Sequence, residues 1–187
     1  MYKGELRKYG LKSGENIRPE IYREITEELL PKRAKLRCMN LLQTKDYTKE
    51  QLRQKLRQGF YPETVIEEAL GYVASYGYVD DLRYASDFIY YNQEHKSRKR
   101  IEIDLLKKGI AKETVLSAWV NWEEQGNVQD EECQIMHLLE KKRFDGNAAD
   151  AKEMQKIYRF LLRKGFKPEK VRKVLGKYGD EMDNLYD

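Results

Sequence analysis

The chain has 187 residues, of which 40% are hydrophobic and 36% are charged, and its formal net charge is +4. No apolar run approaches the roughly 20 residues that a membrane-spanning helix needs, and charged residues interrupt residues 1–11, so we expect neither a membrane protein nor a secreted one. Cys38 and Cys133 are too few and too isolated for a disulfide framework. Both are expected to be reduced core thiols of a cytoplasmic protein.

Residues 1–31 carry the weakest helical pattern, with one short helix predicted after Pro19 and no role assigned to the segment. A first three-helix unit is predicted over residues 32–79, and its first helix starts with the unit. The second helix begins at Thr48, which forms a capping box with the glutamine three residues on. It ends at Gly59, which is expected to take the left-handed conformation.

The same scheme is predicted over residues 80–126, where Ser97 caps the middle helix and Gly109 ends it. A third unit is predicted over residues 127–187, with Asp150 as the cap of its middle helix. Strand patterns are nearly absent, so the predicted fold class is all-α. Three residues at helical spacing are expected to form the buried stripe of the third unit's first helix: Cys133, Met136 and Leu139.

One short string recurs in all three units: a leucine, two charged or amide residues, a glycine and a large apolar residue. The glycines are 50 and then 56 residues apart. Self-similarity at this period predicts tandem repeats, whose function lies in the surface that a stacked array presents to a partner. The three strings are Leu56-Arg57-Gln58-Gly59-Phe60, Leu106-Lys107-Lys108-Gly109-Ile110 and Leu162-Arg163-Lys164-Gly165-Phe166.

Net charge alternates in step with the repeat. Residues 32–59, 96–112 and 156–178 carry +7, +5 and +8, whereas residues 60–95 and 113–140 carry −6 and −7. A single charge run is usually a solvated face, but three runs in register indicate equivalent basic helices along one side of an array. The pattern therefore favours binding to phosphate or to an acidic protein surface, with a solubilising patch as the alternative.

The helix start Arg98-Lys99-Arg100 is the leading candidate for a binding patch. Three cations there oppose the helix macrodipole, at a cost of roughly 0.3–1 kcal/mol each. Replacing all three with alanine is expected to weaken binding and to leave folding intact, since they contribute no core. The other cations of the predicted binding surface are Lys107, Lys108, Arg53, Arg57, Arg159, Arg163 and Lys164.

The sequence shows no catalytic machinery, so we expect neither an enzyme nor a bound cofactor or metal. The string at residues 78–81 is similar to the metal-binding turn of reverse transcriptases, but it lies between predicted helices. Asp80 and Asp81 are therefore expected to cap the next helix, with a metal-dependent activity kept as a remote alternative. His95 and His137 are 42 residues apart and have no further ligand at a metal-binding spacing.

Further strings extend through all three units: Tyr47-Thr48-Lys49-Glu50-Gln51-Leu52, Gly77-Tyr78-Val79-Asp80-Asp81, Lys107-Lys108-Gly109-Ile110 and Leu162-Arg163-Lys164-Gly165-Phe166. In these strings the chain resembles the RecX family, which regulates the bacterial RecA recombinase. The resemblance covers about residues 32–178 in the right order. The chain departs from the family pattern at Asp104, where glutamate is more frequent, and near Ser97, where glycine is frequent.

Membership in this family implies tandem three-helix repeats that form an elongated, curved array along the groove of the RecA–single-stranded-DNA filament. Such proteins restrain ATP hydrolysis and strand exchange or promote disassembly. The resemblance thus implies a non-enzymatic, cytoplasmic, monomeric regulator of recombination, DNA repair and the SOS response. Its partners are then the RecA filament and single-stranded DNA, with double-stranded DNA as a further candidate. The alternative is a helical DNA- or RNA-binding protein that acts without RecA.

Overall fold

The structure, a computed structural model, describes residues 3–178, and every regular element in that range is helical. This confirms the predicted all-α class. The chain divides into two compact units, Met1–Asp80 and Asp81–Asp187. Among the helices described, none has the length and apolarity to cross a membrane. In chain order the elements are α1 (Lys3–Lys8), α2 (Pro19–Arg23), a π-helical segment (Glu24–Leu29), α3 (Leu30–Leu42), α4 (Lys49–Arg57), α5 (Glu63–Ser75), α6 (Asp81–Asn92), α7 (Arg98–Lys107), α8 (Lys112–Glu124), α9 (Glu131–Lys141), α10 (Ala151–Arg163), α11 (Pro168–Leu175) and a 3-10 turn (Gly176–Tyr178).

In the first unit, helices α3, α4 and α5 enclose one hydrophobic core. Leu52 and Leu56 of α4 and Val73 of α5 are fully buried in it. Helix α4 begins where the sequence predicts: the Gln51 N–H donates to the Thr48 hydroxyl at 3.2 Å, and the Thr48 N–H donates to the Gln51 side chain at 3.2 Å. The predicted capping box is therefore confirmed, and it fixes the position at which α4 starts.

The long helix of the first unit starts earlier than predicted. Helix α2, the π-helical segment and α3 form one continuous helical stretch over residues 19–42, so the predicted start at residue 32 is wrong. Pro31 lies buried inside this stretch, and a proline there lacks an N–H and crowds the carbonyl four residues before it. In the wider π turn the Leu30 N–H donates to the Ile25 carbonyl, five residues back. The wider turn makes room for the proline ring without ending the helix.

The second unit contains two hydrophobic cores, one within α6, α7 and α8 and the other within α9, α10 and α11. Trp119 is the largest fully buried side chain. The predicted caps of the two middle helices are confirmed: the Arg100 N–H donates to the Ser97 hydroxyl at 3.3 Å, and the Glu153 N–H donates to the Asp150 carboxylate at 2.7 Å. The side chain that precedes each middle helix, Ser97 or Asp150, therefore fixes the position at which that helix starts.

The buried face of α9 differs from the prediction. Ile135 and Leu139 are buried, whereas Met136 is 39% exposed and Cys133 is also exposed. Leu139 belongs both to the predicted stripe, with Cys133 and Met136, and to a second stripe that contains Ile135. The second stripe is the one that packs into the core. Cys133 is therefore not a core thiol. Cys38 is one, and burial raises the pKa of its thiol to about 11.

The end of α4 shows that the first repeat is offset by one residue from the recurring string. Phe60, not Gly59, takes the left-handed conformation, with a φ of 59°. The other repeats place glycine there, with φ values of 82° at Gly109 and 92° at Gly165. The following N–H then bonds to a carbonyl five residues back in each repeat, Tyr61 to Leu56, Ile110 to Leu105 and Phe166 to Leu161. These three fully buried leucines are the equivalent positions, whereas the string pairs Leu56 with the exposed Leu106.

Phe60 is a position at which a glycine substitution should stabilise the protein. A residue other than glycine costs roughly 1 kcal/mol or more in the left-handed region. The Phe60 side chain is 94% exposed, so its removal takes away almost no packing. We expect Phe60→Gly to raise the free energy of unfolding by about 1 kcal/mol in urea denaturation.

Gly77→Ala is the matched control in the same unit. Gly77 is left-handed with a φ of 69°, and a Cβ placed there would meet no atom within 4 Å. This variant should lose about 1 kcal/mol through backbone strain alone. A Phe60→Gly variant no more stable than the wild type, next to a destabilised Gly77→Ala variant, would contradict the strain assigned to Phe60.

Candidate nucleic-acid interface

The two cations predicted on α4 are held by carboxylates of their own unit. The Arg57 guanidinium donates twice to Glu63, at 2.7 and 3.1 Å. Arg53 donates to Glu67 at 2.9 Å and to Glu50 at 2.7 Å. Hydrogen bonds to Glu67 and Glu50 raise the pKa of Arg53, and the bond to Glu63 raises the pKa of Arg57. A phosphate would have to compete with these carboxylates for both arginines.

Arg98 contacts its own repeat as well. Its guanidinium lies 4.7 Å from the centroid of the Trp119 ring. It also pairs with Glu102 at 3.0 Å and with Glu123. These contacts link α7 to α8 through a cation–π interaction and an ion pair. The prediction that replacing the three cations at the start of α7 leaves folding intact stays untested, but these contacts give Arg98 a structural role beside its charge.

The start of α7 and the end of α10 meet in a close joint within the second unit. The Ser97 N–H donates to the Lys164 carbonyl at 3.1 Å, and the Ser97 hydroxyl donates to the Gly165 carbonyl at 2.7 Å. A Cβ on Gly165 would lie 2.5 Å from Ser97 Oγ and 2.6 Å from Arg100 Cβ. The positive end of α7 thus satisfies carbonyls at the negative end of α10. We name this contact the α7–α10 joint.

Four cations converge on the α7–α10 joint. Burial, and then the charges of Lys96, Lys142 and Arg100, lower the pKa of the Lys164 ammonium. One carboxylate, that of Asp104, faces the cluster at 2.9 Å from Lys96 and 3.1 Å from Arg100. Burial raises the pKa of Asp104, but hydrogen bonds and charge interactions with these two cations outweigh it and hold the pKa below its usual range. Among residues 3–178, four cations and one carboxylate take part in these contacts, so the cluster is positive.

A groove of about 430 Å³ lies beside the joint, with exposed cations on its rim and apolar side chains also in its lining. Two of its rim residues, Lys99 and Arg163, are exposed and have no ion-pair partner in the described part of the chain. The joint therefore unites two patches that are far apart in the sequence, the start of α7 and the end of α10. We name the groove the joint groove. Its lining comprises Lys99, Arg100, Ile103, Leu162, Arg163, Gly165, Phe166, Lys167 and Pro168.

The remaining predicted cations lie elsewhere on these helices. Lys107 and Lys108 are at the end of α7 opposite the joint. The Lys108 ammonium lies 5.6 and 5.3 Å from the ring centroids of Tyr84 and Phe88. Arg159 is exposed on α10, one turn before the joint groove. The structure thus brings together part of the predicted set and leaves the rest outside.

Three cations of this surface were missed by the sequence reasoning. Lys96 precedes the cap of α7, Lys142 follows α9, and Lys167 precedes α11. Each lies directly beside a helix boundary. Their position at helix ends was visible in the sequence, but which ends meet is set by tertiary packing.

The acidic string and the histidines give no metal site in the described residues. Asp81 is the first residue of α6 and Asp80 precedes it, so both stand where a cap acts, and their capping role stays a prediction. The rings of His95 and His137 are nearly parallel, with centroids 6.5 Å apart. Within residues 3–178 no three histidine, cysteine or acidic side chains are grouped as a metal site requires.

Two family models match parts of the chain that include the first and the last of the predicted repeats. A family model described as RecX, first three-helix domain, matches residues 34–72, and one described as RecX, third three-helix domain, matches residues 130–175. The chain is 30% identical to the regulatory protein RecX of Caldanaerobacter subterraneus subsp. tengcongensis over 167 residues, 89% of this chain and 81% of that protein. It is 28% identical to that of Clostridium beijerinckii over 174 residues, 91% and 79% of the two chains.

Solved structures share the fold. A crystal structure of regulatory protein RecX aligns with a TM-score of 0.63 and 21% identity, over 94% of this chain and 87% of that one. The crystal structure of RecX from Lactobacillus salivarius aligns with a TM-score of 0.57 and 20% identity, over 80% and 96%. At these identities the structural similarity supports the fold alone.

The α7–α10 joint depends on the absence of a side chain at Gly165. We expect Gly165→Ala to lower the free energy of unfolding by about 3 kcal/mol, roughly 1 from backbone strain and roughly 2 from overpacking against Ser97 and Arg100. Gly126→Ala is the matched control, since Gly126 has a φ of 81° and open space around it. It should lose only about 1 kcal/mol. Equal losses in urea denaturation would show that the joint accommodates a side chain.

Arg98 and Lys99 are neighbours whose replacement by alanine should affect stability to different extents. Arg98→Ala should lose about 1 kcal/mol with the cation–π contact to Trp119. Lys99→Ala should change stability by less than about 0.5 kcal/mol, because the side chain is exposed and unpaired among the described residues. Thermal unfolding followed by circular dichroism measures both. Equal midpoints for the two variants would remove the structural role assigned to Arg98.

Proposed function

Because the chain belongs to the RecX family of regulatory proteins, we propose that it regulates RecA by binding the RecA–single-stranded-DNA filament. In this proposal it restrains ATP hydrolysis and strand exchange and catalyses no reaction of its own. It acts as a cytoplasmic monomer in recombination, DNA repair and the SOS response. The repeats at residues 32–79, 80–126 and 127–187 are proposed as its three binding modules.

The observation that carries the proposal is the positive cluster at the α7–α10 joint. The Lys142 and Lys164 ammonium groups both lie over the Phe160 ring, at 4.3 and 5.6 Å from its centroid, and Lys96 and Arg100 both pair with Asp104. Like charges held together in this way destabilise the folded protein. A polyanion in the joint groove would relieve the repulsion, so this arrangement favours a phosphate backbone as the partner.

The joint groove supplies two kinds of contact for such a backbone. Lys99 and Arg163 are exposed on its rim, where their charges reach phosphate oxygens without first breaking an internal ion pair. An arginine also binds phosphate with two parallel hydrogen bonds. Ile103, Leu162 and Phe166 contribute apolar side chains to the same lining, which lower the local dielectric constant and strengthen these contacts.

Regulation follows if the protein binds one state of the filament better than the others. A ligand shifts an equilibrium only by its difference in affinity between the states. A chain that contacts phosphates or subunits in the ATP-bound filament would therefore slow the steps that change that geometry. Several weak contacts in tandem repeats raise the total affinity because the later contacts form within one molecule.

A second candidate is a protein that binds nucleic acid without RecA. The same exposed cations favour it, because Lys99 and Arg163 would attract any phosphate backbone. The two functions separate in a competition experiment, in which labelled protein is offered naked single-stranded DNA and RecA-coated strands. Preference for the coated strands supports the filament regulator, and equal or lower affinity for them supports the alternative.

The double variant Lys99→Ala/Arg163→Ala tests the role of the joint groove. We expect the slope of log affinity against log salt concentration to fall by about two units, since each lost phosphate contact removes about one. The protein concentration that halves RecA ATP hydrolysis should rise roughly tenfold. Filament binding at several salt concentrations and a RecA ATPase assay provide the two readouts.

The matched control is Lys112→Ala/Lys152→Ala. Both lysines are exposed, have no ion-pair partner in the described range and lie outside the joint groove, so the net charge changes equally. The control should keep the wild-type slope and inhibition. Equal effects of the two double variants would remove the joint groove from the proposal. A wild-type protein that leaves RecA ATP hydrolysis unchanged at low salt and saturating concentration would refute the function itself.

A further inference from the structure

A second cationic groove lies along α10, next to the end of α9. It has a volume of about 430 Å³, and four cations line it: Lys142, Arg143, Lys156 and Arg163. Arg163 also lines the joint groove, so the two grooves share a side chain. We name the second one the α9–α10 groove, and it belongs entirely to the second unit.

The charges of the α9–α10 groove are not used inside the protein. All four cations are exposed, and none has an ion-pair partner in the described part of the chain. The carboxylates of Asp145 and Glu153 share the lining, but neither pairs with a cation in that range. The Asp145 carboxylate instead accepts from the Asn147 N–H at 3.1 Å. Four cations and two carboxylates leave the lining positive, with every cation open to an anionic ligand.

Arg143 is held in a backbone conformation that costs free energy. Its φ of 52° is left-handed, a region in which arginine is strained and glycine is not. Apart from Phe60, the other left-handed residues of the described chain are glycines. The exposed Arg143 side chain makes no hydrogen bond or ion pair there that would stabilise the fold. Strained residues of this kind are concentrated at binding sites, where the side chain serves a ligand.

We propose that the α9–α10 groove is a second phosphate-binding subsite, which takes the backbone of the nucleic-acid strand as it leaves the joint groove. The inference rests on the proposed function, which supplies the strand. Arg143 and Lys156 then contact phosphates that the joint groove does not reach. Arg163 stands at the border of the two subsites, where a guanidinium can hold one phosphate with two parallel hydrogen bonds.

The positive charge is continuous between the two subsites. Lys142 lines the α9–α10 groove, and its charge also contributes to the lowered pKa of Lys164 at the joint. The ammonium groups of these two lysines lie 4.3 and 5.6 Å from the centroid of the same Phe160 ring. A polyanion that extends from one groove into the other would therefore relieve repulsion in both.

The length of the groove favours a strand over a single small anion. Lys156 and Arg163 are on α10, and their positions in the sequence place them ~10.5 Å apart along the helix axis at 1.5 Å per residue. A nucleic-acid strand in a duplex carries one phosphate per ~3.4 Å of axis, so a strand presents several charges over this span. One phosphate ion would meet only one end of the groove. An acidic protein segment is the competing partner, and the experiment separates it from a strand.

The test measures binding of a single-stranded oligonucleotide of about 12 nucleotides to the protein without RecA, by fluorescence anisotropy at several salt concentrations. Arg143→Ala/Lys156→Ala removes two cations that line this groove and not the joint groove. The slope of log affinity against log salt concentration should fall by about 1.4, since each phosphate contact of a single strand contributes about 0.7. Affinity at low salt should fall roughly tenfold.

The matched control is Arg37→Ala/Lys112→Ala. It also removes one arginine and one lysine, both exposed, without an ion-pair partner among residues 3–178 and outside the two grooves. The control should keep the wild-type slope and affinity. Circular dichroism of both double variants shows that they are folded.

Three single variants of Arg143 separate binding from folding. Arg143→Gly should raise the urea midpoint, because glycine relieves the strained backbone, and should weaken strand binding as much as Arg143→Ala does. Arg143→Lys should keep most of the affinity, because the charge stays. Lower affinity together with higher stability is the signature of a ligand-binding residue, since the loss of a structural contact would lower both.

An unchanged salt slope in Arg143→Ala/Lys156→Ala, or a loss equal to that of the control, would overturn the subsite. A variant that binds the naked strand like the wild type but binds RecA filaments more weakly would overturn phosphate as the ligand and make the groove a contact for an acidic protein surface. The outcome is separable from that of the proposed function. If the predicted slopes are found while RecA ATP hydrolysis is unaffected by the wild type, the subsite stands and the regulation fails. If the wild type inhibits RecA but the variant keeps its slope, the subsite alone is rejected.

Discussion

The α7–α10 joint brings charges of the second unit together, and the Ser97 hydroxyl takes part in both of the helix ends that meet there. A serine hydroxyl has one donor and two acceptor positions. Ser97 uses both functions: it accepts from the Arg100 N–H and donates to the Gly165 carbonyl. The same oxygen therefore caps the start of α7 and satisfies the end of α10. Because Arg100 lies in the first turn of α7 and Lys164 directly follows α10, this contact brings their charges together.

Cations of similar sequence context are ion-paired in the first unit, whereas some at the joint of the second unit have no carboxylate partner among residues 3–178. In the first unit Arg53 and Arg57 are neutralised by carboxylates of α4 and α5, so their charges stabilise the repeat in which they occur. At the joint, Lys142 and Lys164 have no carboxylate partner in the described range, and the Lys164 pKa is lowered instead. A basic stretch in the sequence is thus either an internal ion-pair network or an open charged surface. Only the second arrangement leaves charge for a partner.

Sequence reasoning succeeded where the interactions are local. The caps at Thr48, Ser97 and Asp150 involve residues three apart in the chain, so the sequence contains both partners. It failed where two arrangements are locally equivalent, as in the choice between overlapping stripes of α9, which left Cys133 outside the core. It also missed the α7–α10 joint, since no local pattern tells which helix ends meet. Arg100 and Lys164 were therefore predicted as binding residues, but their convergence with Lys96 and Lys142 was not.

The one-residue offset of the first repeat shows that the repeats share buried core positions but differ in the residues at equivalent surface positions. Matching the buried leucines places Lys108 and Lys164 at one position and Gly59 at the equivalent position of the first repeat. The lysine ammonium groups lie near the aromatic rings of Phe88 and Phe160, a contact that a glycine cannot make. The next position is glycine in two repeats and the exposed Phe60 in the first. Since the core positions agree and the surface positions do not, a binding residue in one repeat cannot be transferred to another by sequence spacing.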